Sequence, residues 1–259
     1  MLNRGPNWDS AIKQFWAIRQ GQSLEQQIRG DVQDSGSRSS VTGGKHLQPL
    51  ADAIVSCFRM NPNIGSRLKI YSGANNYLPG WYRESKNWDI VVTYQGALVA
   101  VIELKSQVGS LGNNFNNRVE EAIGNAADLW RANEYDELGQ IKPWTAFIMV
   151  IEDTIKSRSP VASKAVLPPF ETDPVFRGQS RIDRYRIALK RLVSEGQYDT
   201  AVVIATSPNS GISLESEPML SLANLEAAIK GRLAYIEALP STAFAPLDRT
   251  NNENQQYGF

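Results

Sequence analysis

Asp89, Glu103 and Lys105 are the residues of this chain whose types and spacing can do chemistry together. Two carboxylates offer hard oxygen ligands to a small divalent cation such as Mg²⁺, and the backbone carbonyl of Leu104 is a further candidate ligand. A cation held there lowers the pKa of water and screens the charge that builds on a phosphodiester under attack. A compact ammonium such as that of Lys105 can orient the water or steady the same charge. A purely structural ion pair between Lys105 and Glu103 or Asp89 accounts for the same letters.

Whether the three groups meet depends on the strands that carry them. Residues 90–94 and 98–105 are apolar and rich in β-branched side chains, and Gln95-Gly96-Ala97 between them is short enough for a hairpin. A three-residue loop pairs Tyr94 with Leu98 and, counting outward, Asp89 with Glu103. Period-two alternation then sets Lys105 on the face of Glu103. A two-residue loop would shift the register by one and send Asp89 to the opposite face.

Composition excludes several other chemistries. In 259 residues that are 42% hydrophobic, Lys+Arg 27 balance Asp+Glu 27, so a nucleic-acid surface has to be a local basic patch. The one cysteine, Cys57, falls in an apolar helical pattern, forms no internal disulfide and points to a reducing cytoplasm. No secretory leader and no membrane-spanning apolar run is expected. The one histidine, His46, is expected at a helix start as a capping or exposed residue; with one Cys and one His there is no ordinary zinc set. Any hydrolysis has to run on carboxylates and lysine.

Along the chain, Trp8, Ile12, Phe15 and Trp16 recur at helical spacing and predict a docked N-terminal helix. The polar stretch 21–44, carrying Arg29 and Arg38 and followed by Lys45, reads as a loop or a DNA-wrapping arm. Leu47, Leu50, Ile54, Cys57 and Phe58 mark a helix ended by Asn61-Pro62, with Asp52 facing solvent. A short strand over 67–72, an aromatic loop over 73–87, the hairpin and a loop over 109–117 follow. Asn117 and Glu120 resemble a capping box opening a helix whose apolar stripe is Val119, Ile123, Ala126, Ala127 and Trp130. Residues 144–151 read as a buried strand. Beyond Pro160 a basic helix over 181–194, a strand over 201–206 and a helix over 218–239 read as an elaboration, and the tail from 241 as loose. The expectation is an α/β protein of one domain, 1–259, with a core at about 46–152 and a C-terminal elaboration at about 160–240.

The D, E-x-K set on this αβββαβ order resembles the PD-(D/E)XK nuclease superfamily, whose core is a mixed central sheet flanked by helices. The segment WDIVVTYQGALVAVIELKSQVGSLGNNFNNRVEEAIGNAADLW, with VTGGK and LPGWYRESKNWD upstream, is similar to the signature block of XhoI-type type II restriction endonucleases. Trp88 stands where the superfamily label has proline. The resemblance implies a Mg²⁺-dependent endonuclease, acting on double-stranded DNA as a homodimer. It would cut both strands of the palindrome CTCGAG after the first C and leave 5′-phosphates. Carried over by position, Asp89 and Glu103 (with Leu104) would hold the metal and Lys105 would orient water. A methyltransferase protecting the same site is implied as the functional partner.

Candidate base readers are Asn113, Asn114, Asn116, Asn117 and Arg118, in the expected loop after the catalytic strand; asparagines also suit turns and caps. Arg83 and Lys86 are candidate phosphate contacts, and Glu25 and Glu121 are spare acids for a second metal. Another PD-(D/E)XK nuclease, acting in repair or on junctions, and a non-catalytic DNA-binding module remain as alternatives.

Overall fold

The computed structural model describes residues 6–28, 44–109, 114–135, 138–162, 165–214 and 217–244, the side chains of 23–28 and 213–214 aside. Its helices are α1 (Trp8–Ile28), α2 (Gln48–Arg59), α3 (Asn114–Glu134), α4 (Ile155–Arg158), α5 (Arg181–Ser194) and α6 (Leu222–Ala238). Its strands are β1 (Lys69–Ser72), β2 (Tyr77–Pro79), β3 (Ser85–Asn87), β4 (Ile90–Tyr94), β5 (Ala97–Gln107), β6 (Trp144–Glu152), β7 (Thr200–Ser207) and β8 (Gly211–Leu214).

Six strands form one mixed sheet in the order β1-β4-β5-β6-β7-β8. β1, β4 and β5 are antiparallel neighbours, β5, β6 and β7 run parallel, and β8 returns antiparallel. The parallel pairs need crossovers, which α3 supplies between β5 and β6, and α4 and α5 supply between β6 and β7. Strands covered on both faces read as near-continuous apolar runs: seven consecutive residues of β5, from Leu98 to Leu104, are buried, all of them apolar except Glu103.

Alternation along β5 divides the core. Ala100, Ile102 and Leu104 face the cluster that α1, α2 and α6 cover, with Ile12, Phe15, Leu50, Phe58 and Ile229. Val101 faces the opposite side, packing with Trp88, Leu129 and Ala132. Farther along that side, α5 packs Tyr185 and Leu189 onto Phe147 and Met149 of β6. Glu103, Lys105 and Gln107 share Val101's parity, so the polar groups open between α3 and α5.

Several sequence expectations change. α1 runs to Ile28, through the first part of the stretch expected as a loop from Gly21. The segment 73–87 folds as a second hairpin, with Tyr77 opposite Asn87 and Pro79 opposite Ser85. The residues beyond 160, expected as an addition, give two strands, β7 and β8, to the same sheet. α3 begins at Asn114 and not after Asn117, because Phe115 is drawn onto Tyr185, with ring centroids 5.0 Å apart. Its buried face is Ala122, Asn125, Ala126, Asp128, Leu129 and Ala132, while Ile123 is exposed. The expected apolar stripe misses this because Asn125 and Asp128 are buried to hold another segment of chain. His46 is 3% exposed and not at the surface. Its Nε2 lies 2.7 Å from Ser106 Oγ and its ring packs edge-on against Phe15. Among the described residues no helix is long and apolar enough to cross a membrane.

The turn between β4 and β5 also differs. Tyr94 pairs with Ala97, so the loop has two residues, and Gln95 (φ 50°) and Gly96 (φ 87°) take the paired positive angles of a type I′ hairpin turn. The ladder then slips by one between Val92 and Thr93, with Thr93 opposite Leu98 and Val92 opposite Ala100. The bulge at Val99 restores the outer register, Ile90 opposite Ile102, that a three-residue loop would have produced.

Candidate active site

Glu103 is the centre of the site. It is 2% exposed, and both carboxylate oxygens are taken by ammonium groups: Lys105 Nζ lies 2.6 Å from Oε1 and Lys86 Nζ 2.8 Å from Oε2. Asp89, one residue ahead of β4, is half-buried at the same end of the hairpin. Its Oδ2 accepts the backbone N–H of Leu104 at 2.6 Å. The carboxylates are close enough to repel: burial, and then the charge of Glu103, push the Asp89 carboxyl up to about 6, against the Leu104 N–H and the two lysines. For Lys105, burial works against the charged form. The charge and hydrogen bond of Glu103, with help from Asp89 and Glu121, outweigh it and hold the pKa above the ordinary lysine value.

Lys86 comes from β3, outside the central sheet, and its ammonium lies 4.1 Å from the centroid of the Trp88 ring. The hairpin that carries it is pinned to α3 by Asp128. That carboxylate, itself buried, accepts the N–H groups of Trp81 and Tyr82, each at 2.8 Å, and Arg83 Nε at 2.6 Å. Burial raises its pKa, but the N–H groups and the guanidinium outweigh that and hold it below the usual carboxylate range. Arg83 also reaches Asn125 Oδ1 at 3.0 Å. At the hairpin's base, the buried Asn76 side chain donates to the carbonyls of Trp88, at 3.2 Å, and Asp89, at 3.4 Å.

Asp89, Glu103 and Lys105 are thus brought together on one face. Lys86, expected as a flanking phosphate contact, instead binds Glu103 inside the cluster. Nothing local in the sequence shows this, because the side chain arrives by way of a hairpin whose strands are three residues each. Arg83, expected in the same role, is engaged with α3. Asn114, Asn116, Asn117 and Arg118 open α3 and form no loop; Asn116 and Asn117 are exposed, and Arg118 pairs with Glu121 at 2.5 Å. Asn113 and the side chain of Glu25 lie outside the described residues. Glu121 sits 3.8 Å from Lys105, at the margin of the site. Beyond Lys105 on the same face, the hydroxyl of Tyr185 donates to Gln107 Oε1. Among the described residues no three His, Cys, Asp or Glu side chains gather as a metal site, so a cation here has two carboxylates and backbone or ligand oxygens to bind.

A mixed sheet with two carboxylates and a lysine gathered at the end of one hairpin, and a second lysine delivered by another, defines an α/β protein with a charged site. Comparison with known proteins sharpens this. The family of the restriction endonuclease XhoI matches residues 25–214. The type II restriction enzyme XhoI of Xanthomonas vasicola is 38% identical over 187 residues, covering 71% of this chain and 73% of that one. BstVI of Geobacillus stearothermophilus, also a type II restriction enzyme, is 35% identical over 187 residues, covering 69% and 81%. AbrI of Azospirillum brasilense, another, is 36% identical over 170 residues, covering 64% and 71%. No solved structure matches. The chain belongs to the XhoI family of type II restriction endonucleases.

Proposed function

We propose that this protein is a Mg²⁺-dependent endonuclease of PD-(D/E)XK type that hydrolyses both strands of a palindromic duplex. CTCGAG, cut after the first C, is the site we infer. The observation that carries the reading is the convergence of Asp89, Glu103 and Lys105 at the end of one hairpin, within the segment that matches the family. The residues fit a small hard cation: Glu103, buried, and Asp89, half-buried with its pKa pushed up to about 6, make a repulsive pair that a divalent ion would relieve. Asp89 and Glu103, with the carbonyl of Leu104, would hold it. Bound there, it would supply a water of lowered pKa and neutralise charge at phosphorus.

The rest falls to the chain. Lys105 donates hydrogen bonds toward the attacking water and the phosphoryl oxygens, where an ammonium costs no reorganisation as negative charge develops. Water attacks phosphorus in line, the bond from phosphorus to the 3′ oxygen breaks, and the products are a 5′-phosphate and a 3′-hydroxyl. A palindrome calls for a homodimer with one site per strand. A methyltransferase of the same specificity is the functional partner, and the cytoplasm, where the buried thiol of Cys57 stays reduced, is the compartment.

The test is digestion of plasmid and genomic DNA by purified protein with Mg²⁺, with the ends sequenced and Glu103→Gln and Lys105→Met run in parallel. Cuts at CTCGAG that vanish in both variants and on adding EDTA are expected. Discrete cuts elsewhere would keep the mechanism and move the specificity. Binding with no cleavage would sink the enzyme reading in favour of a DNA-binding module.

A further inference from the structure

The active-site register hangs on one extra residue. With a two-residue turn and a regular ladder, Asp89 would lie opposite Ile102, whose side chain belongs to the cluster beneath α1, α2 and α6. Its carboxylate would then point away from Glu103. The bulge prevents this: Val99 has no cross-strand partner, and its side chain enters the same cluster as that of Ala100, so alternation restarts in the phase the site needs.

A bulge interrupts the ladder at a buried position, and its backbone polar groups must be satisfied elsewhere. The parallel pairing of β5 with β6 begins only at Ala100 and Trp144, and the residue before Trp144 is Pro143, which has no N–H to offer. Arg232, on α6, fills the gap. Its Nε donates to the carbonyl of Val99 at 3.0 Å and its Nη2 to the carbonyl of Lys142 at 2.8 Å, so one rigid fork ties the bulge to the chain entering β6. The guanidinium does this while half-buried, within reach of the Tyr235 ring at 5.2 Å.

We propose that Arg232 is a positioning residue for cleavage: by clamping the Val99 bulge it selects the hairpin register that puts Asp89 on the face of Glu103 and Lys105. This rests on the nuclease reading above. A residue that merely glued α6 to the sheet would affect stability alone; a register clamp also affects turnover, and its loss is rescued by removing the need for it. Deleting Val99 joins the Thr93–Leu98 pair directly to the Val92–Ala100 pair, a regular ladder with the outer register unchanged.

The experiment compares full-length wild type, Arg232→Met, the Val99 deletion and the combined variant for Mg²⁺-dependent cleavage and for backbone amide exchange. Arg232→Met is expected to lower kcat by about 100-fold, the scale of a small misplacement of catalytic groups, with KM for DNA little changed. The deletion is expected to cleave, and the combined variant to match the deletion alone. If Arg232→Met lowers kcat as far in the deletion background as in wild type, the clamp is wrong. Should the deletion not fold, exchange in Arg232→Met decides. Protection lost at 91–94 and 98–101 and kept through β6 and β7 supports the clamp; loss spread evenly over the sheet overturns it. Wild type that cleaves no DNA would count against the nuclease reading, and the exchange pattern would still decide the clamp.

Discussion

Glu103 carries two cations on one carboxylate, and they are not equivalent. Lys105 shares its strand and face, while Lys86 is delivered by a separate hairpin and lies over Trp88. If Glu103 is to hold the proposed divalent ion, one of the ammonium groups on its oxygens would have to give way, and Lys86 is the one not built into β5. Lys86→Met is therefore expected to tighten Mg²⁺ binding in the absence of DNA by about tenfold, the equivalent of the roughly 1.5 kcal/mol of one charge-assisted hydrogen bond. Calorimetric titration would show it; weaker Mg²⁺ binding would mean that Lys86 organises the site and does not compete for it. The convergence of Asp89, Glu103 and Lys105 was legible in the sequence once a hairpin register was assumed, because residues on an apolar hairpin follow period-two geometry. The site role of Lys86 was not, since it depends on where a three-residue strand folds back.

At the scale of elements, two small devices aim the site. One is the pairing of the two-residue turn with the Val99 bulge: loop length was the open point in the sequence, a three-residue loop was the expectation that puts Asp89 opposite Glu103, and backbone packing reaches the same outer register by a shorter turn and a bulge. The other is Asp128, through which α3 grips the turn between β2 and β3. Replacing it by Ala removes the acceptor of two part-buried N–H groups and the charge partner of Arg83, which keeps its bond to Asn125. Asp128→Ala is expected to cost about 3 kcal/mol in urea denaturation and to slow cleavage, as Lys86 and the chain leading to Asp89 lose their anchor. Gly80 belongs to the same device, because a Cβ there would stand 2.7 Å from Asp128 Oδ2 and 2.8 Å from the Arg83 carbonyl. Gly80→Ala should therefore weaken the same hairpin, read as faster amide exchange over 77–87; unchanged exchange would show that the turn is held by something else.

Across the whole molecule, the covering layer is joined to β5, the strand of Glu103 and Lys105. α1 is held by Trp8 Nε1 on Glu226 Oε1 at 2.7 Å and Trp16 Nε1 on Thr206 Oγ1 at 3.1 Å, and its Phe15 packs on His46, which bonds Ser106 beside Lys105. Burial first, and then the charge of Arg19, lower the His46 pKa from 6.5 to about 4. Between those values the unfolded chain takes up a proton that the folded chain refuses, so stability is level above pH 6.5 and falls as the pH drops toward 4. The loss approaches about 3 kcal/mol. Urea midpoints measured across that range should show the slope, and His46→Gln should remove its histidine component; an unchanged slope would mean that other groups govern acid unfolding. For the proposed dimer, mixing wild type with Glu103→Gln should yield a species that nicks one strand of a plasmid, whereas a protein that cuts as a monomer would give only linear product at reduced rate.

The sequence by itself determined the family, the hairpin of residues 90–105 with its acids and lysine, and the main helices and buried strands. Hydrophobic period, strand alternation and the choice of Asp, Glu and Lys are local properties, and a long signature block carried the family. Only the tertiary structure decided which other side chains reach the site and how its register is held. Lys86, Asp128, His46 and Arg232 act through contacts spanning 17, 47, 60 and 133 residues of chain. No spacing rule links residues so far apart; packing brings them together, because each buried carboxylate or carbonyl must find its partner wherever the folded chain can supply one.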